Sequence, residues 1–393
     1  MEWKKVILKE KSVEIPKRWV FLHYYEAYNI LFRIENALRV FCFSVLKNEL
    51  KDKWIDCSVK ADEGDDNSIK NLSNKRISQA STFGYLCYSI SSPLMYLTGG
   101  ELIQIITSEK YWPYFKGHFK GSMQIIKNKL NEIGAIRNSL AHFRPIKEDD
   151  VEVLKQNAKH ALMEVEKYLD QMNNCYNVVP TNTSEEWYQK LKTIGTETCI
   201  LRFTQCDTEQ WVKITIEYKS HILDMKKYGS EYLSYQVLNI NSPAILKEDK
   251  NLVDIITCLT ENVPYCSISS KFEIDLKKNI SMLFSRQTLK ANFQIVEKSI
   301  NKLFSTISNE NDLIKEDNLA RGSIVESASI GAYLYGEKDK HWNVNTRHLL
   351  KQVTESDLPE YWGDTEYIPR DFIGGVSKFP WMPSDISESE PPF

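Results

Sequence analysis

Through the first 170 positions apolar residues recur every three or four residues, and this spacing predicts helices. Tyr24, Tyr28, Leu31, Leu38, Cys42 and Val45 mark one long helix over 19–50. Glu35 falls on that stripe where an apolar side chain is expected, and Arg39 follows one turn later. At a surface such an i,i+4 pair contributes only a few tenths of a kcal/mol. Otherwise it marks a polar patch facing something functional. Residues 60–74 are polar, with Gly64-Asp65-Asp66-Asn67 among them, and predict a loop. The uncharged stretch 77–100 predicts two core helices, with Ser91 or Ser92 as a cap and Pro93 in the first turn of the second. It is long enough to raise the question of a membrane span. Ser91-Ser92-Pro93 and Gly99-Gly100 interrupt it, so no membrane association is expected. Ser122 caps a helix whose stripe is Ile126, Leu130, Ile133, Ile136 and Leu140, and Pro145 ends it. Asp149 and Asp150 open the next, with Val151, Leu154, Ala158, Ala161, Val165 and Tyr168 as its stripe.

The period then changes. Residues 173–184 form a polar linker, and 197–205 reads as a strand. Val212, Ile214, Ile216 and Tyr218 alternate with Lys213, Thr215 and Glu217, the period of a second strand, with Asp207-Thr208-Glu209 as the turn between the two. A third strand is expected over 232–240, and 252–259 fits either a helix or a strand. Leu289, Phe293, Val296, Ile300, Leu303 and Ile307 mark a strongly amphipathic helix. Periodicity fades from about Asn309. The expected fold class is multidomain, α and α+β: an all-α helical bundle (1–175), an α+β domain (185–310) and an extended acidic arm (311–393). The last stretch, from Lys351, holds three Lys/Arg and nine Asp/Glu together with Trp362 and Trp381, and ends Pro391-Pro392-Phe393. That pattern predicts an arm docked through aromatics, or a solvated tail.

Charge adds one distinction. The whole chain carries 50 Lys+Arg and 53 Asp+Glu, a formal net charge of -3, which excludes a globally basic nucleic-acid-binding protein. Residues 1–178 hold 26 Lys/Arg and 22 Asp/Glu (+4), which leaves 24 and 31 (-7) for the rest. An anionic partner is therefore expected at the first half. Met1-Glu2-Trp3-Lys4-Lys5 does not resemble a signal peptide. The eight cysteines include no C-x-x-C pair, so reduced core thiols and a cytoplasmic location are expected, with no structural metal and no cofactor.

Candidate chemistry gathers at the end of the 122–144 helix. Asn138 and His142 are four apart and share a helical face, and the side chain of Arg137 reaches the same space. Histidine exchanges a proton near neutral pH. Arginine offers a cationic fork matched to phosphate oxygens, and asparagine orients a ribose or phosphate oxygen. No cluster of carboxylates and histidines lies nearby in the sequence, so metal-independent chemistry is expected. RNA supplies its own nucleophile, the 2′-hydroxyl. The bare spacing carries little weight, because Arg18 and His23 repeat it. Between 110 and 120, Tyr111, Trp112, Tyr114, Phe115 and Phe119 interleave with lysines. The aromatics are expected to plug the bundle, and Lys116 and Lys120 to attract RNA.

The whole string over 133–146, Ile-Gly-Ala-Ile-Arg-Asn-Ser-Leu-Ala-His-Phe-Arg-Pro-Ile, closely resembles the signature of the HEPN superfamily. Glu35-Asn36-Ala37-Leu38-Arg39 is similar to the first helix of its bacterial members. The resemblance covers roughly residues 15–172; none is seen for the C-terminal half. It implies a helical bundle that forms a homodimer with two motifs facing each other. It also implies a metal-independent endoribonuclease that leaves a 2′,3′-cyclic phosphate, acting as a toxin or effector in bacterial antiviral defence (abortive infection). His142 would be the general acid/base, Arg137 the phosphate-binding residue and Asn138 the positioning residue. Glu35, Arg39, Arg144, Lys116 and Lys120 would line the cleft or hold RNA. The C-terminal domain would take a regulatory partner or trigger. The alternative is a non-catalytic HEPN module that dimerises and binds RNA or protein.

Overall fold

The computed structural model describes residues 3–8, 11–16, 22–59, 67–82, 90–178, 184–317, 321–336, 341–364 and 379–381, with the backbone alone for 3–8, 11–16, 22–23 and 81. Arg18, the side chain of His23 and the Pro391-Pro392-Phe393 terminus lie outside the described residues. The chain is mixed α and β and divides into two compact units. The first comprises 1–88, 93–170 and 367–393, and the second 89–92 and 171–366. No helix among the described residues is long and apolar enough to cross a membrane.

The first unit opens on an antiparallel hairpin, β1 (Trp3–Leu8) with β2 (Lys11–Pro16), where no strand was expected. Helices follow: α1 (Leu22–Leu50), α2 (Ile69–Thr82), α3 (Gly99–Ile106), the short α4 (Trp112–Phe115), α5 (Met123–Ala141) and α6 (Glu148–Asn173). The stripe of α6 is buried throughout, as are Ile126, Leu130, Ile133 and Ile136 of α5; Leu140 is only half-buried. On α1 the stripe departs from expectation at Tyr28, which is exposed, while Asn36 and Arg39 are buried. Phe41 gathers the rings of Phe115, Phe119, His118 and Tyr168 within 5.9 Å, so the aromatics of 110–120 do plug the core. The bonded or ion-paired pairs Tyr24–Ile146, Glu26–Lys155, Glu35–Arg137 and Asn157–Glu132 set α5 antiparallel to α1 and α6.

Among the described residues of 77–100, the two expected core helices are not seen as such. α2 begins at Ile69, inside the expected loop, and Pro93 opens a single 3-10 turn, Pro93–Tyr96. Ser91 and Ser92 cap nothing, since both hydroxyls are buried without a partner. The cap of α3 is Thr98, whose hydroxyl accepts the Glu101 N–H while the Glu101 carboxylate accepts the Thr98 N–H at 2.7 Å.

In the second unit a six-stranded sheet runs β12-β8-β9-β5-β4-β3 and a four-stranded sheet β11-β10-β7-β6. In chain order the elements are β3 (Asn177–Val178), α7 (Glu186–Leu191), β4 (Cys199–Gln205), β5 (Trp211–Lys219), β6 (Ile222–Tyr228), β7 (Tyr232–Ile240), α8 (Ser242–Glu248), α9 (Lys250–Ile255), β8 (Cys258–Ile268), β9 (Ile274–Ser285), α10 (Arg286–Glu316), β10 (Val325–Tyr335), β11 (His341–Asn345) and β12 (Tyr361–Gly363). The even-numbered residues of β5 and β9 (Ile214 opposite Met282, Ile216 opposite Ile280) face the apolar stripe of α10. The expected irregular arm over 311–393 is therefore corrected in part: among its described residues it supplies three strands, and Trp362 is buried. Within the first unit Trp381 sits against Phe43 (5.3 Å) and Phe379 against Phe32 (6.3 Å), the aromatic docking expected of the arm.

The four-stranded sheet is fastened by charges inside the core. Lys278 is wholly buried, with its ammonium 2.8 Å from Glu261, and donates to Asn239 Oδ1 and to the carbonyls of Ile240 and Leu349. Glu261 also accepts from Ser242, from the Lys351 N–H and from the Tyr361 hydroxyl. Every member has a partner, which is what a buried ion pair requires. Replacing one partner strands the other. Lys278→Ala is expected to lower stability by about 3–5 kcal/mol in urea unfolding of the full chain, and the double K278M/E261L change to recover much of it. A Lys278→Ala loss below about 1 kcal/mol would show that the pair holds nothing together.

Candidate functional site

Helix α5 ends at Ala141, three residues short of the expected 144, and the way it ends shapes the site. His142 is the C-cap residue (φ -101, ψ 15), and its N–H donates to the carbonyl of Asn138 at 3.1 Å. The Phe143 N–H then bonds Leu140 O (3.0 Å) and the Arg144 N–H bonds Ser139 O (2.8 Å). This pair of bonds is a Schellman motif, and its left-handed residue is usually glycine. Here that residue is Phe143, at φ 54. The turn is pinned from α1, where the Tyr24 hydroxyl accepts the Ile146 N–H at 3.1 Å.

Arg137, in the last turn, is half-buried and held in place. Its Nε donates to Glu35 Oε2 at 3.3 Å, and its Nη1 lies 3.4 Å from Asn138 Oδ1. The other Glu35 oxygen takes Arg39 Nη2. One carboxylate on α1 thus spans two guanidiniums. Gly99 makes room for it, because a Cβ there would stand 3.0 Å from Glu35 Oε2. Burial is the main influence lowering the Arg39 pKa from its usual value; Glu35 opposes it and the charge of Arg137 adds to it.

Arg39 does not line a cleft. It is buried and its donors are committed, to Glu35, to Asn36 Oδ1 (2.8 Å), and to the carbonyls of Leu94 (3.2 Å) and Leu97 (3.1 Å). Its place is structural: it fixes Glu35, and Glu35 fixes Arg137. The outer members differ. Asn138, His142 and Arg144 are exposed, and neither His142 nor Arg144 has a side-chain partner among the described residues.

Lys116 and Lys120 are not brought to this point. They precede α5, while the motif ends it, and a 19-residue helix spans about 28 Å. Lys120 pairs with Glu164 at 2.9 Å and lines a separate groove with Lys129, Lys159 and His160. Among the described residues, no three His, Cys, Asp or Glu side chains are grouped as metal ligands. Sequence reasoning missed Asn36, Gly99 and Phe143. For Gly99 the Gly99-Gly100 pair was the visible trace; Asn36 and Phe143 gave no signal beyond their place in the motif strings.

The chain was compared with family models, curated proteins and solved structures, and none matches it.

The two ion pairs of Glu35 are unequal, because its partners differ in burial. Glu35→Gln leaves Arg39 buried without a counter-ion and is expected to cost on the order of 3 kcal/mol. Arg137→Gln, at a half-exposed partner, should cost less than about 1 kcal/mol. Urea unfolding of the full-length variants measures both, and equal losses would contradict the arrangement.

Proposed function

We propose that the first unit is a HEPN-type domain and that the chain is a metal-independent endoribonuclease acting as a homodimer. The observation carrying this reading is the contrast within the motif. Arg137 is oriented through Glu35 and Arg39, while His142, at the end of the same helix, is exposed and has no side-chain partner among the described residues. A fixed guanidinium and a free imidazole at one helix end are the two groups that phosphodiester cleavage by a 2′-hydroxyl needs.

In the proposed reaction His142 takes the proton of the 2′-hydroxyl, and the 2′-oxygen attacks phosphorus. The bond to the 5′-oxygen breaks, leaving a 2′,3′-cyclic phosphate and a 5′-hydroxyl once that oxygen is protonated. Arg137 stabilises the charge building on the phosphoryl oxygens, and Asn138 positions the ribose or phosphate. The motif of one chain offers one histidine, so a second copy would bring the acid, its own His142. The second unit would sense a trigger or choose the substrate, and the role in bacterial antiviral defence belongs to this reading.

One observation favours the runner-up, a non-catalytic module that dimerises and binds RNA or protein. No described side chain orients the His142 ring, and catalytic imidazoles are commonly held in one tautomer by a neighbour. End-group analysis separates the two. In EDTA the wild type should cut RNA to cyclic-phosphate and 5′-hydroxyl ends. His142→Ala and Arg137→Ala should each lose about 100-fold or more, the range of general acid–base and electrostatic contributions. Absence of cyclic ends from the wild type, or a His142→Ala variant as active as it, rejects catalysis.

A further inference from the structure

Among the described residues three aromatics have left-handed backbone: Phe143 (φ 54), Phe272 (φ 65) and Trp381 (φ 68). Two of them bury or pack the ring in return. Trp381 is 2% exposed against Phe43. Phe272 lies beneath the Lys227 ammonium (4.3 Å) and beside Trp342 (6.2 Å). Phe143 gets nothing comparable. It is 97% exposed, and its ring touches no other ring or cation among the described residues. It occupies the Schellman position that glycine fills at least conformational cost. Folding alone therefore gives no reason for a phenylalanine there, since both its backbone and its surface disfavour it.

Its neighbours indicate what would cover it. His142 precedes it and Arg144 follows it, both exposed and without a side-chain partner among the described residues, and Arg137 lies on the turn before. The next carboxylates along the chain, Glu148, Asp149 and Asp150, open α6, and Asp150 accepts the Lys147 N–H at 2.7 Å. An aromatic face flanked by cationic side chains matches a ligand that is flat and anionic at once. We propose that Phe143 is a base-stacking subsite for single-stranded RNA, holding the nucleotide beside the phosphate that Arg137 and Arg144 engage. This rests on reading the site as an RNA site. A ring-to-ring contact between two copies is the less favoured occupant, because it would bring no anion to the exposed Arg144. Stacking on an aromatic ring suits unpaired bases of any identity.

The decisive variant is Phe143→Gly, because folding and binding should move in opposite directions. Glycine relieves the left-handed backbone, so the midpoint of thermal unfolding should stay or rise. Binding of a fluorescein-labelled 2′-O-methyl oligoadenosine 12-mer to the full chain, read by anisotropy, should weaken about tenfold, the scale of one lost stack. The probe lacks the attacking hydroxyl, so cleavage does not enter the measurement. Phe143→Trp should retain binding, whereas Phe143→Leu, apolar but unable to stack, should lose it as glycine does. Unchanged binding in Phe143→Gly, full binding in Phe143→Leu, or a wild type that does not bind the probe overturns the subsite. So does a Phe143→Gly loss that tracks dissociation of a dimer in sedimentation, which would assign the ring to a second copy. An oligonucleotide with ordinary ribose, run in parallel, keeps the two readings apart. Wild type that binds both probes and cuts neither rejects the nuclease and leaves the subsite standing. Cleavage with full Phe143→Gly binding rejects the subsite alone.

Discussion

Taking the Arg39 guanidinium out of water costs several kcal/mol unless a counter-ion and acceptors replace the water. Glu35 is that counter-ion, and the carbonyls of Leu94 and Leu97 with the Asn36 amide oxygen take most of the remaining N–H groups. These bonds fasten the 93–97 turn to the middle of α1. The second Glu35 oxygen is left free to reach Arg137 on α5. The orientation of a half-exposed arginine near the end of one helix thus depends on a buried arginine on another. Gly99 is part of the same arrangement, since a side chain there would press on the shared carboxylate.

The second unit meets the same requirement at the junction of its sheets. Lys278 sits on the core face of β9, in line with Ile280 and Met282, where the alternation calls for an apolar residue. Glu261 accepts from it, and the segment around Lys351 and Tyr361 completes the shell. An apolar pair would fill this space at lower cost in desolvation. The ionic pair instead requires the distant C-terminal segment to be in place before its charges are satisfied, and this draws residues 349–363 into the unit.

Sequence periodicity located elements whose faces differ sharply in polarity. α5 and α6, and the strands β5 and β7, have one apolar face each and emerge close to the expected bounds, and so does the start of α10, which runs on to Glu316, past the expected loss of periodicity at Asn309. β6 was illegible because it is an exposed edge strand with almost no buried residue. β10 was illegible because Ser327, Ala328, Ser329, Gly331 and Ala332 carry too little apolar contrast for alternation to register. The Lys277-Lys278-Asn279 run hid β9 by placing a lysine in the core. Arg137, Asn138 and His142 were legible because helix spacing alone puts them at one end of α5. The reach of Glu35 to Arg137 was not, because it depends on how two helices 102 residues apart pack.

The motif therefore has two mechanical halves. Arg137 belongs to a scaffold of buried charge, and its position is settled when the unit folds. His142, Phe143 and Arg144 lie beyond the last helical residue on a turn whose backbone is fixed by the Schellman bonds and by Tyr24, yet their side chains are exposed and have no partner among the described residues. A fixed backbone with free side chains presents functional groups without committing them. In the proposed reaction this division has a physical rationale. The guanidinium must already point at the phosphate, since reorienting it would subtract from the stabilisation it gives. The imidazole would take a proton in one copy and give one in the other, and its exposed turn leaves room for RNA or a second copy to supply the neighbour that fixes its tautomer.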